Sequence, residues 1–246
     1  MRLKRWVANI ISGFIPNESR RKKFRTKLQF ETKWCLEFVR NYMGDKNVKL
    51  DTYVGHGCLN YIVVANRKYV FKFPIHDGTD EDPTKEKRIT DYFAKKLSIT
   101  VPTLEIIKHN GRYIKKYDFI DGVTLADVDR KRFDANRAKI ASQIADFIFT
   151  MSTTDPRTLG DLKPRDAGRP GFMYGWGHRD IGGNFILNPK TMDVIGFIDY
   201  ENAGFGDLMQ DFRNANRHWS RRGYDSLGIE ILKFYTEKYI AYINKK

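Results

Sequence analysis

The sequence predicts an α+β chain, a small antiparallel sheet followed by a mainly helical part. Three features of its 246 residues carry this reading. Between 50 and 117, short β-branched and aromatic runs alternate with turn residues, the pattern of hairpin-linked strands. From 118 onward the long patterned stretches have helical spacing, as in Ala141, Ile144, Ala145, Phe147, Ile148 and Met151 within 135–152. Residues 178–211 read as a loop, a β-hairpin and a second loop. The length suits one large domain or two small lobes sharing a cleft.

The elements follow in order. Residues 3–15 place Leu3, Trp6, Val7, Ile10, Ile11, Phe14 and Ile15 at helical spacing, and Pro16 ends the pattern. Segment 1–28 is a basic amphipathic unit in which nine basic residues stand against Glu18 alone, giving it +8 of the chain's net +14. Residues 29–49 form a connecting helix, with Phe30, Trp34, Leu36, Phe38, Val39 and Tyr42 in pattern and Gly44 as its stop. Residues 50–117 form the sheet-rich part. Tyr53–Val64 reads as strand, loop with Gly55 and Gly57, and strand; Asn66-Arg67 turns the chain, and Tyr69–Phe73 is a third strand closed by Pro74. Pro83 opens a helix over 83–97 whose buried face is Ile89, Tyr92, Phe93 and Leu97, with Glu86 one turn earlier on that side. Strands at Leu104–Ile107 and Tyr113–Tyr117 flank the turn His109-Asn110-Gly111. Residues 118–246 are mainly helical: a core helix over 135–152, a Gly/Pro/Arg/Asp-rich loop over 155–177, the 178–211 segment and one or two closing helices. Lys163, Arg165 and Arg169 in that loop are either solvated charges or contacts for an anionic acceptor.

Composition excludes several classes. No stretch approaches the roughly 20 apolar residues of a membrane-spanning helix. Cys35 and Cys58 make no disulfide framework, and the N-terminal apolar patch leads into a basic run rather than a small-residue cleavage site. A cytoplasmic protein is expected. An apolar stripe with Trp6 and Phe14 beside basic residues suits the interface of an anionic membrane, so peripheral attachment through residues 1–28 is one expectation. A helix docked on the protein's own core is the other. Nucleic acid is not expected, because the basic run lacks a base-reading module.

The chemistry concentrates in 178–211. Phe185–Leu187 and Val194–Ile198 are short strands joined at the turn signal Asn188-Pro189-Lys190. A hairpin of this length sets its outer ends side by side, so Asp180 and Asn184 lie near Asp199. Two carboxylates and an amide oxygen suit Mg²⁺ carrying a nucleotide phosphate, with one carboxylate left to orient a hydroxyl.

His178-Arg179-Asp180, Asn184 and the run Gly196-Phe197-Ile198-Asp199-Tyr200-Glu201-Asn202-Ala203-Gly204-Phe205-Gly206-Asp207 with Asp211 resemble the protein-kinase-like small-molecule kinases. That group holds the aminoglycoside phosphotransferases, the choline kinases and the lipopolysaccharide core sugar kinases, and Gly183-Asn184-Phe185 leans towards the last. The family's amide stands five residues after its catalytic Asp; here Asn184 follows Asp180 by four, with Gly182 and Gly183 supplying backbone freedom. The resemblance covers roughly 50–215 and implies a two-lobed protein-kinase-like fold that uses ATP and Mg²⁺. It implies Asp180 as the catalytic residue, and Asn184 and Asp199 as metal ligands. Gly55, Gly57 and Asn60 would form the phosphate loop, and Lys72 would be held against the phosphates by Glu86. The backbone at Asp118 and Ile120 would face the adenine. The G-D-x-x-x-D tail, Asp207 and Asp211, would brace the catalytic loop. The chain is short where relatives wall in a small acceptor, which implies an open site.

Three functions follow. The first is an ATP-dependent phosphotransferase acting on a sugar hydroxyl of a cell-surface glycan or its lipid-linked precursor. The second is a kinase for a small alcohol of choline or aminoglycoside type. The third is a catalytically silent kinase-fold binding protein, against which the complete set Lys72, Glu86, Asp180, Asn184 and Asp199 argues.

Overall fold

The computed structural model describes residues 32–54, 60–75, 83–124, 127–159, 162, 173–220 and 226–246. The amphipathic stretch 3–15, the basic segment 1–28, Gly55, Gly57, Lys163, Arg165 and Arg169 lie outside the described residues. The chain divides into two compact units, 1–83 with 104–119 and 84–103 with 120–246. The stretch 84–103 thus groups with the second unit, although it precedes two strands of the first.

In the first unit, α1 (Lys33–Met43) precedes a five-stranded antiparallel sheet of β1 (Leu50–Val54), β2 (Asn60–Ala65), β3 (Tyr69–Pro74), β4 (Glu105–His109) and β5 (Arg112–Asp118), in the order β1-β2-β3-β5-β4. Gly44 ends α1 at φ 64°, where its N–H and that of Asp45 return to the Asn41 and Arg40 carbonyls. Two hairpins turn on positive-φ pairs, Asn66 and Arg67 at 52° and 51°, and Asn110 and Gly111 at 48° and 77°. Strand period two sends Tyr61, Val63, Ala65, Phe71 and Phe73 to the face where Cys35 and Val39 of α1 pack. Val64, Val70, Leu104 and Tyr117 form a second cluster. Lys72 follows Val70 by two and shares its face; it is 4% exposed, with Nζ 5.9 Å from the centre of the Tyr117 ring.

The second unit contains α2 (Thr84–Phe93), β6 (Val123–Thr124), α3 (Arg130–Ser152), β7 (Tyr174–Gly177), β8 (Phe185–Leu187), β9 (Val194–Phe197), β10 (Gly204–Asp207), α4 (Met209–Ser220) and α5 (Leu227–Ile243). Strands β6, β8 and β9 form one antiparallel sheet and β7 with β10 another. α2 stops a turn before Leu97. α3 begins five residues before the apolar pattern, because the Asp129 side chain accepts the Arg132 N–H and caps it. Its Phe133, Ile140, Ile144, Phe147, Ile148 and Met151 form the core with α2, β7–β10, α4 and α5. The Tyr235 and Ser152 hydroxyls meet at 3.2 Å, and Arg137–Glu230 and Lys238–Asp146 ion pairs, at 2.8 and 2.6 Å, tie α5 to α3.

Candidate active site

The hairpin of the second unit is held at its turn by α3. Arg132 donates to the carbonyls of Pro189 and Lys190, Lys139 to that of Thr191, and Gln143 takes the Val194 N–H at 2.8 Å. Asn188 closes the turn by accepting the Lys190 and Thr191 amides at 2.8 and 3.2 Å. At the open end, the Ile198 N–H donates to the Asn184 carbonyl at 2.8 Å. This bond brings Asn184 beside Asp199, as the two-strand reading requires.

Asp180 arrives from the other side, on the loop that leaves β7. Asp211 of α4, fully buried, accepts the backbone N–H groups of both His178 and Arg179. Burial pushes its carboxyl up to about 7, and the two amides oppose that rise. Gly177 makes the approach possible: a Cβ there would stand 2.6 Å from the Asp211 Oδ2. The buried His178 ring packs on Tyr200, Phe197 and Phe147, with Nδ1 facing the Asp180 N–H at 3.3 Å and Nε2 the Ile198 carbonyl at 3.0 Å. Nδ1 therefore accepts and Nε2 carries the proton, so one imidazole ties the Asp180 loop to the strand leading to Asp199. The Asn184 Nδ2 donates to the Asp180 carbonyl at 2.9 Å, closing the loop. On its outer side, Gly182 and Gly183 lie against the His218 ring; a Cβ on Gly182 would come within 2.7 Å of the His218 Cβ.

The electrostatics are those of crowded acids. Burial raises the Asp180 carboxyl, Asp199 raises it further, Asn184 counteracts and Glu201 adds a smaller rise. Asp199 holds its place at φ 71°, a left-handed conformation that costs a non-glycine residue about 1 kcal/mol or more. The donor set fits a hard divalent cation: the Asp199 carboxylate and the Asn184 amide oxygen are hard ligands, and such a cation would relieve the repulsion between the two aspartates. Asp180, Asn184 and Asp199 are thus brought together. Asn60 opens β2, Lys72 lies on β3 and Asp118 ends β5 in the first unit. Glu86, 6% exposed in the first turn of α2, and Ile120, packed over Gly196, belong to the second.

Sequence reasoning missed the surface next to Asp180. A cleft of about 440 Å³ is lined by Arg179, Asp180, Asn202, Gln210 and Asn214. Asn214 donates to the Arg179 carbonyl, the Gln210 Nε2 to the Asn214 Oδ1 at 3.2 Å, and the Arg179 guanidinium to the Phe205 carbonyl at 3.1 Å. The available signal was the i, i+4 spacing of Gln210 and Asn214, two amides on one helix face just after the motif.

No protein-family model matches the sequence, and no curated protein matches it. Solved structures match in fold. A variant of aminoglycoside 2′-phosphotransferase-IIIa in complex with GDP superposes with a TM-score of 0.67 at 15% identity, covering 83% of this chain and 82% of its own. The gentamicin complex of APH(2″)-IIa gives 0.62 at 15%, covering 85% and 82%. APH(3″)-Id from Streptomyces rimosus gives 0.60 at 16%, covering 84% and 92%. The chain has the α+β, protein-kinase-like fold of the aminoglycoside phosphotransferases.

Proposed function

We propose that the protein is an ATP-dependent phosphotransferase that transfers a phosphoryl group to an alcohol hydroxyl. The observation that carries this is the convergence of Asp180, Asn184 and Asp199 on one hydrogen-bonded frame built from His178 and Asp211. Complexes of the fold neighbours with GDP, ADP and ATP support a nucleotide as donor. Asp180 orients the acceptor hydroxyl and takes its proton. Asn184 and Asp199 would hold Mg²⁺, which neutralises phosphate charge when bound. Lys72, buried on its sheet face, would steady the phosphates, which Gly55, Gly57 and Asn60 would cradle. The backbone at Asp118 and Ile120 receives the base. Positioning and charge neutralisation dominate such a reaction, so these residues act without covalent chemistry.

The neighbours bound to gentamicin and kanamycin support a small-molecule acceptor. A second reading, a sugar of a cell-surface glycan or its lipid-linked precursor, is supported by the +8 charge and apolar stripe of residues 1–28, which suit an anionic membrane face. The test is an ATP-consumption screen against alcohols, amino alcohols and oligosaccharides, with Asp180→Asn as control. Acceptor-dependent consumption that vanishes in the variant supports a kinase; no nucleotide binding by the parent chain refutes it.

A further inference from the structure

The cleft beside Asp180 has a composition that bears on which acceptor the site takes. Its described lining is one guanidinium, one carboxylate and three carboxamides, from Arg179, Asp180, Asn202, Gln210 and Asn214. The single carboxylate is the one the phosphoryl-transfer reading reserves for the reacting hydroxyl. The helix behind the cleft extends the pattern. At 100° per residue, Gln210, Arg213, Asn214 and Arg217 of α4 fall within one arc of about 100°. Arg213 and Arg217 are exposed, whereas Asp211, the one acid of that helix, is turned inward onto the His178 and Arg179 amides. The described lining around Asp180 is thus amide-rich, with Arg179 as its cation.

We propose that this cleft selects uncharged sugar hydroxyls and excludes polycationic aminoglycosides. A carboxamide offers one acceptor oxygen and two N–H donors, the complement of a vicinal diol, which both donates and accepts. A ligand with several ammonium groups needs carboxylates at matching positions, and like charges set against one another oppose binding. Arg179 is anchored on the Phe205 carbonyl at 3.1 Å, so its charge stays at the cleft wall. Glu201 raises the Asp180 carboxyl electrostatically but does not line the cleft. The fold is shared with enzymes bound to gentamicin and kanamycin, while the recognition surface is built for another acceptor class. The inference rests on the kinase reading above and favours its sugar branch.

The test separates the two. The protein is first titrated with Mg·AMPPNP; absence of binding refutes the kinase reading itself. The loaded protein is then titrated with kanamycin and with the neutral trisaccharide maltotriose at about 150 mM salt. The expected result is trisaccharide binding that exceeds kanamycin binding roughly tenfold or more, and a reversed order in the Gln210→Glu/Asn202→Asp double variant. Kanamycin binding to the parent protein as tight as or tighter than the trisaccharide's, including equal absence of both, overturns the proposal. So does a double variant that gains no kanamycin affinity while still binding Mg·AMPPNP.

Discussion

Asp211 sits where no water reaches it, yet both of its oxygens are occupied by backbone N–H groups of the loop that carries Asp180. Its folded value, about 7, lies above the ordinary 3.8, so the folded state holds a proton that the unfolded chain releases. The sign follows: this group's contribution to stability is full below its unfolded value and is lost as the pH rises through about 7. Thermal melts of the parent chain should fall between pH 5 and pH 8 by more than those of Asp211→Asn, a difference of the order of a few kcal/mol. Equal falls would show that another group sets the dependence. The neighbouring glycine makes a second prediction. Gly177→Ala forces a Cβ to 2.6 Å from the Asp211 Oδ2, so the anchor must shift. Acceptor turnover should fall at least about tenfold while Mg·nucleotide affinity changes little, because positioning of Asp180 is what is lost. Asp180→Asn itself should bind nucleotide and lose roughly 10²-fold or more of turnover.

Among the elements, the β8–β9 hairpin was the most legible. Its two short β-branched runs and the Asn188-Pro189 turn leave one way to pair, and that pairing delivered Asn184 to Asp199. The β7–β10 ribbon was not legible. Tyr174–Gly177 and Gly204–Asp207 each carry two glycines, which have low strand propensity, and the ribbon exists because of what it must pass. A Cβ at Gly175 would stand 2.5 Å from the Ser152 carbonyl at the end of α3, so glycine is required for a strand to lie there. Gly175→Val should lower stability by about 1–3 kcal/mol, read as a lower denaturant midpoint with unchanged slope. The loop from Asp180 to Asn184 has a support that the sequence concealed. The His218 ring, from 34 residues beyond Asn184, fills the outer side of Gly182 and Gly183 and packs against the loop. His218→Ala should therefore reduce turnover more than it reduces the melting temperature, and His218→Phe, which keeps a ring, should restore part of it.

For the whole molecule, the class of fold was legible in the sequence. Residues 84–103 lie between strands of the first unit in sequence and belong to the second through Ile89, Phe93 and Val101 in its core and the Thr100 backbone bonded to Ile195 and Phe197. Such membership depends on long-range contacts that local periodicity does not encode. Among the described residues, no helix is long and apolar enough to cross a membrane. The proposed membrane contact is residues 1–28, where each basic side chain would contribute about 1 kcal/mol near an anionic surface. The full chain should co-sediment with phosphatidylglycerol vesicles in a salt-sensitive way, and a chain lacking residues 1–28 should not. Truncation that unfolds the protein would assign the segment to the core instead.

The left-handed backbone at Asp199 has a consequence for anyone who evolves this protein in the laboratory. Glycine adopts φ 71° without strain, so Asp199→Gly removes a backbone cost and part of the repulsion felt by Asp180. A library selected by heat challenge alone would enrich that substitution, and under the proposed role of Asp199 as a metal ligand the survivors would be hardier and inert. Selection schemes need a catalytic step in every round, since on the proposed function durability and chemistry pull the genotype in opposite directions at this position.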